Sequence, residues 1–145
     1  AAGCAVCLMH MQGEPATMQQ APVYQEVVSE VEEFLQARVQ ALLAAGIARE
    51  RIVIDPGIGF GKTTRHNLAL LAALDELSTL GQPVLLGVSR KSLIGELTGR
   101  AVEQRLAGSL AAMLAGVARG AAIVRVHDVA ATRDALAVWQ AIENA

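Results

Sequence analysis

The sequence predicts an α/β fold whose parallel strands belong to a (β/α)8-type barrel. Four short runs rich in β-branched and aliphatic residues alternate with longer segments of helical periodicity. That alternation implies parallel strands joined by right-handed helical crossovers. The chain of 145 residues is 53% hydrophobic but only 3% aromatic, with 13 glycines, which suits a buried aliphatic sheet wrapped in helices. Polar residues close every strand at its C-terminal end: His10, Asp55, Ser89 and His127, spaced 45, 34 and 38 residues apart. Barrel enzymes assemble their sites on that face, which favours a barrel over an open sheet.

The first strand is expected over 4–11, CAVCLMHM, ending at Gln12-Gly13. Met9 and Met11 share one of its faces and His10 takes the other, where a lone histidine reads as a packed side chain. Cys4 and Cys7 form C-x-x-C, but residues three apart on a strand point to opposite faces and no second cysteine pair exists. Buried, inert thiols are therefore expected. A polar loop over 14–22, bounded by Pro15 and Pro22, leads to a helix over 23–45. Tyr24, Val27, Val28, Val31, Phe34, Leu35 and Leu42 recur along it at helical spacing, and Gly46 stands where a terminating glycine belongs.

Residues 52–62, IVIDPGIGFGK, organise the chain. Ile52, Val53 and Ile54 form a buried strand that drives into Asp55; Pro56 and Gly57 end it, and Gly59 and Gly61 leave bare backbone that a flat ligand can approach. A helix over 65–79 follows, carried by Leu70, Leu71, Leu74 and Leu77. The third strand, 84–88, opens into Ser89-Arg90-Lys91-Ser92 and a short helix ending near Gly99. A longer helix over 102–119 packs through Leu106, Leu110, Met113, Leu114 and Val117. The fourth strand, 122–126, ends at His127-Asp128, and a last helix, 130–143, packs through Leu136, Trp139 and Ile142. Val53, Leu85 and Val124 are expected to face the barrel interior.

A net charge of −2 with scattered Lys and Arg gives no footprint for nucleic acid and no basic cluster for a membrane surface. The longest uncharged run, 106–118, is too short to span a bilayer, and the N-terminal residues lack a charged region leading into an apolar one. A cytoplasmic setting is expected.

The strand ends bring chemistry together. Arg125 and His127, two apart on an extended segment, share a face and would suit an anion such as a phosphate ester, with pairing between Arg125 and Asp128 as the other possibility. Lys91 and Ser92 open a helix, whose N–H groups and hydroxyl can receive a carboxylate or phosphate. Asp55 is a lone carboxylate able to read the amidine edge of a heterocycle through two hydrogen bonds. Two other motifs fail. In 56–63, PGIGFGKT, a proline stands where a P-loop needs glycine, and glycines 57, 59 and 61 spell G-x-G-x-G rather than G-x-G-x-x-G.

LMHMQG (8–13), DPGIGFGK (55–62), GVSRKS (87–92), QRLAGSLA (104–111) and IVRVHDV (123–129), in this order and spacing, resemble the dihydropteroate synthase family over essentially the whole chain. The resemblance is to the last four βα units of an eight-stranded TIM barrel, making 1–145 a partial pterin-binding domain without its N-terminal half. It implies joining of a 6-hydroxymethyl-7,8-dihydropterin pyrophosphate to 4-aminobenzoate, giving dihydropteroate and pyrophosphate in folate biosynthesis, with sulfonamides mimicking the second substrate. By resemblance Asp55 and Lys91 serve catalysis and bind the pterin. Arg125, Met9, Gly59 and Gly87 complete the pterin site, Arg125 and His127 take the pyrophosphate, and Phe60, Lys91 and Ser92 take the aminobenzoate. Magnesium is the implied cofactor, its ligand expected in the N-terminal half and none in this one. The complete family member is expected to be a homodimer, and this half alone is expected to be inactive. A related pterin-binding methyltransferase barrel, or a non-catalytic pterin-binding fragment, stands as the alternative.

Overall fold

The computed structural model describes residues 3–14, 18 and 21–145, so most of the expected loop at 14–22 lies outside the described residues. Four parallel strands, β1 (Val6–Met9), β2 (Ile52–Asp55), β3 (Val84–Leu86) and β4 (Ala121–Val124), lie side by side in chain order. Among the described residues, six α-helices join and follow them: α1 (Val27–Ala44), α2 (Thr64–Ala72), α3 (Leu74–Ser78), α4 (Ser92–Thr98), α5 (Leu106–Val117) and α6 (Val129–Glu143). Strands in sequence order with a helical crossover between each pair form an arc of the expected barrel.

The sheet has two unlike faces. Ile52, Ile54, Val84, Leu86 and Ala121 point under the helices and are buried. They meet a stripe on α1 at four-residue spacing (Val27, Val31, Leu35, Val39), together with Leu70, Leu74 and Leu77 of α2 and α3 and Met113 of α5. The opposite face carries Cys7, Val53 and Leu85. Cys7 pairs with Val53, Met9 with Asp55, and Leu85 with Ile123 across the ladders. No helix among the described residues covers this face: Met9 is 37% and Ile123 40% exposed.

That asymmetry corrects three expectations. Both cysteines are exposed, because the layer that would bury Cys7 is not supplied by these four units. A register shift between Val84 and Leu85 turns Ile123, not Val124, to the interior side, while Val124 packs on the helical core. Ile142 does not pack as expected; it is 67% exposed near the end of α6, whereas Leu136 and Trp139 are half-buried.

The helix boundaries move for local reasons. α1 starts at Val27 rather than residue 23 because the Gln12 amide clasps Val23, donating to its carbonyl at 2.7 Å and accepting its N–H at 3.1 Å. Glu30 then accepts the N–H groups of Gln25 and Glu26 at 2.7 and 3.0 Å, capping the helix from within its first turn. The expected helix 65–79 breaks at Ala73 into α2 and α3. The expected helix 102–119 is a 3-10 turn, Val102–Gln104, followed by α5. At the bend the Arg105 guanidinium reaches back to the carbonyls of Arg100 and Arg90 at 3.1 and 3.0 Å.

Ile54→Ala, opening a cavity under the helices, should cost about 2–5 kcal/mol, whereas Ile123→Ala on the open face should cost on the order of 1 kcal/mol or less. Denaturant melts of the two variants measure the difference; equal losses would mean that both faces are packed.

Candidate functional site

The site lies at the C-terminal ends of the strands, on the open face. β2 delivers Asp55 into surroundings that leave it 5% exposed. Its Oδ1 accepts the Gly57 N–H at 2.7 Å, which leaves Oδ2 for a ligand. Burial raises the Asp55 pKa above the ordinary carboxylate value, against the opposing pull of the Gly57 N–H, Lys91, Arg125 and Lys62.

The loop after Asp55 is built against the end of β1. Gly57 and Gly61 have φ of 68° and 62°, and a Cβ on them would lie 1.8 Å from the His10 carbonyl oxygen and 2.4 Å from that of Gln12. Only glycine allows this approach. Further ties hold the loop: the Asn67 side chain accepts the Gly59 N–H at 2.8 Å, and the Tyr24 hydroxyl donates to the Gly61 carbonyl at 2.8 Å. Thr63 and His66 then form a reciprocal capping box that launches α2.

Lys91, ending the segment after β3, donates from Nζ to the Ile58 carbonyl and sits 4.4 Å from the centroid of the Phe60 ring. Burial pushes its pKa down to about 8, Arg125 pushes the same way and Asp55 opposes both. The Lys91 side chain also packs on Gly59, where a Cβ would come within 3.1 Å of its Cδ. Ser92 is the first residue of α4 and is exposed, beside Lys62, Thr63 and Asn67 in a polar cleft.

Arg125 and His127 share a face, as their spacing predicts. The Arg125 guanidinium lies across Gly87, where a Cβ would be 2.9 Å from Nη2, and the His127 Nδ1 is 3.0 Å from the Ser89 hydroxyl. The acid Asp128 pairs with Arg90 and not with Arg125: Arg90 Nε donates to its Oδ2 at 3.0 Å in a two-pronged contact. Arg90 holds φ at 58°, a left-handed conformation braced by its N–H on the Ser109 hydroxyl at 2.9 Å. Arg125 therefore keeps its charge for a ligand. Met9, cross-strand from Asp55, completes the cluster.

Sequence reasoning missed Lys62, Asn67 and Arg105. Lys62 is 3% exposed and donates to the carbonyls of Gly57 and Phe60 at 3.0 and 3.1 Å and to the His10 Nδ1 at 2.9 Å. His10 is a packed residue as expected, its ring edge-on to Phe34 with centroids 4.9 Å apart. Among the described residues no group of three His, Cys, Asp or Glu side chains gathers to hold a metal ion; Asp55 Oδ1 serves Gly57 and Asp128 serves Arg90.

The sequence pattern of the pterin binding enzyme family matches residues 1–127. The chain belongs to the pterin-binding enzymes. A dihydropteroate synthase of Neisseria meningitidis serogroup B is 60% identical over 141 residues, covering 94% of this chain and 50% of that protein. The Stenotrophomonas maltophilia dihydropteroate synthase, solved with imidazole in its active site, superposes with a TM-score of 0.95 at 56% identity, over 97% of this chain and 54% of that one. The Xanthomonas albilineans enzyme in complex with 7,8-dihydropteroate gives 0.90 at 55% identity, over 97% and 51%. The Yersinia pestis enzyme in complex with a sulfonamide drug gives 0.93 at 43%, again over 97% and 51%. The chain thus spans about half the length of the curated relatives it matches, and its fold is that of half a TIM-barrel enzyme.

His10 provides a test of the packing beneath the site. Burial and the neighbouring Lys62 lower its pKa from 6.5 to about 4, so the unfolded chain binds the extra proton first as pH falls. Stability should be undiminished above about pH 6.5 and fall by on the order of 3 kcal/mol by about pH 4. Thermal melts across this range, with His10→Asn as the comparison that lacks the titration, check the slope.

Proposed function

We propose that this chain carries the pterin, aminobenzoate and pyrophosphate contacts of a dihydropteroate synthase. The observation that supports it best is the convergence of Asp55, Lys91, Arg125 and His127 at the ends of three adjacent parallel strands, one buried carboxylate facing three donors. Relatives 47–60% identical to the chain carry the same name.

On this reading the free Oδ2 of Asp55 accepts N–H groups from the pterin's amidine edge. Arg125 lies against the pterin ring, with Met9, Gly59 and Gly87 lining its pocket and Lys91 reaching both substrates. Phe60 and the α4 start at Ser92 receive the ring and carboxylate of 4-aminobenzoate. Arg125 and His127 hold the pyrophosphate, the Nε2 edge of His127 being the one left by Ser89. The bond between the pterin methylene and the pyrophosphate oxygen breaks with its electron pair leaving on pyrophosphate. The arylamine nitrogen then bonds to the methylene and loses a proton. No side chain acts as nucleophile; Lys91, Arg125 and His127 stabilise the negative charge developing on the leaving group. A methyltransferase would have no use for these anion-binding donors. Magnesium, where the complete protein uses it, belongs to residues beyond this half. The complete protein would work in the cytoplasm as a homodimer, with sulfonamides occupying the aminobenzoate pocket.

Turnover should require the strands that close the barrel, since β1 and β4 are both edges here and the site's own face is uncovered. Assaying this chain with and without the N-terminal half of a relative tests this: negligible synthase activity alone and measurable activity together are expected. Robust activity from the chain by itself would overturn it. In the complemented protein, Asp55→Asn should weaken pterin binding by about 1–3 kcal/mol. Calorimetry showing unchanged pterin affinity would remove Asp55 from its assigned role. A pyrophosphate-bound structure should place the anion within hydrogen-bond reach of Arg125 or His127, directly or through one water; an anion remote from both would reassign them.

A further inference from the structure

Lys62 has the lowest exposure of any lysine or arginine among the described residues, yet no role above requires it to touch a substrate. Its ammonium is ringed by the Gly57 carbonyl, the Phe60 carbonyl and the His10 Nδ1, at 3.0, 3.1 and 2.9 Å. An ammonium has three N–H donors and no acceptor, so donors and acceptors match one to one. Two of the acceptors are the ends of a single turn, which the Phe60 N–H closes onto the Gly57 carbonyl at 3.0 Å. The third lies on the segment after β1. His10 can accept only through an unprotonated Nδ1, which places its proton on Nε2.

We propose that Lys62 is a positioning residue for the aminobenzoate side of the site: its ammonium pins the Gly57–Phe60 turn to neutral His10 and so sets the Phe60 ring against Lys91. This rests on the synthase reading. Other groups around the pair are Asp55 on β2, Lys91 before α4, Glu30 on α1 and Tyr24 ahead of it. Asp55 and Glu30 favour positive charge on the pair and Lys91 disfavours it on Lys62. With Lys62 at about 8 and His10 at about 4, the lysine is charged and the imidazole neutral between those values, the one combination that satisfies all three acceptors. Asp55 is placed by β2, ahead of the turn, with its backbone carbonyl accepting the His10 N–H at 3.0 Å, so loosening the turn should separate the two substrates kinetically.

Three variants make the test. Lys62→Met keeps chain length and removes the donors. His10→Phe keeps a ring and removes the acceptor, and His10→Asn restores an acceptor near the position of Nδ1. In the chain complemented with an N-terminal half, Lys62→Met and His10→Phe should raise KM for 4-aminobenzoate about tenfold, while kcat and KM for the pterin stay within about threefold; His10→Asn should stay within about threefold throughout. Equal losses for both substrates, or His10→Asn behaving like His10→Phe, would overturn the assignment. If Lys62→Met does not fold, the two His10 variants decide. Amide hydrogen exchange in the uncomplemented chain requires no turnover. Phe60 should exchange at least about tenfold faster in Lys62→Met and His10→Phe, with Ile54 unchanged. Unchanged exchange at Phe60 would disprove the pinning whatever the kinetics, whereas no turnover from the unsubstituted complemented chain would count against the synthase reading alone.

Discussion

Burial of charge at the strand ends is the constraint on which the rest of this structure depends. Asp55, Lys62 and Lys91 are all largely withdrawn from water, and burial pulls each toward its neutral form. They lie close enough to oppose that pull: Asp55 raises both lysines, and both lysines lower Asp55. The balance is incomplete. One carboxylate faces two ammonium groups and the guanidinium of Arg125, so the cluster has an excess of positive charge. Such a site gains by taking in anions, because a bound anion supplies the compensation that the protein withholds.

The backbone around the cluster is fixed by close approach rather than by a large core. Gly57 and Gly61 bring the loop onto the carbonyls of His10 and Gln12 at distances that no side chain would permit. The Gln12 amide in turn clasps Val23 and delays the start of α1 by one turn. On the other side, Arg105 gathers the carbonyls of Arg90 and Arg100 and lies across Gly95, where a Cβ would meet its guanidinium at 2.3 Å. Arg90 can hold a left-handed conformation because its N–H, carbonyl and side chain are each engaged, by Ser109, Arg105 and Asp128. The segment bearing Lys91 is thus rigid before any ligand arrives, so less ordering cost falls on binding.

Much of this was legible in the sequence because strand and helix have different periods. The β-branched run at 52–54 and the polar residue closing each strand located both the sheet and the end of it where Asp55, Lys91 and Arg125 gather. The burial of Leu70, Leu74, Leu77 and Met113 followed from helical spacing alone. Side-chain partners were not legible. Lys62 followed by Thr63 reads as the ending of a failed nucleotide motif, and nothing in its spacing announces that its ammonium folds back onto the loop that precedes it. His66 stands where a capping box ordinarily has Glu or Gln, so the cap itself was not legible although the helix was expected from 65 and begins at Thr64. The break at Ala73 has no glycine or proline to mark it. Parallel strands are apolar on both faces, so the sequence could not say which of Ile123 and Val124 turns inward; a one-residue register shift beside Leu85 decided it.

The open face joins stability to function. Cys7, Val53, Leu85 and Ile123 share it with Met9, Asp55 and Arg125, so the surface that lacks a packing layer is also the floor and rim of the site. A set of strands that buried Ile123 and Cys7 would exclude water from Asp55 and Lys91 in the same step. Exclusion lowers the local dielectric and strengthens each charge interaction already present. Covering the apolar residues of this face and strengthening the charge interactions beside them would then be one event.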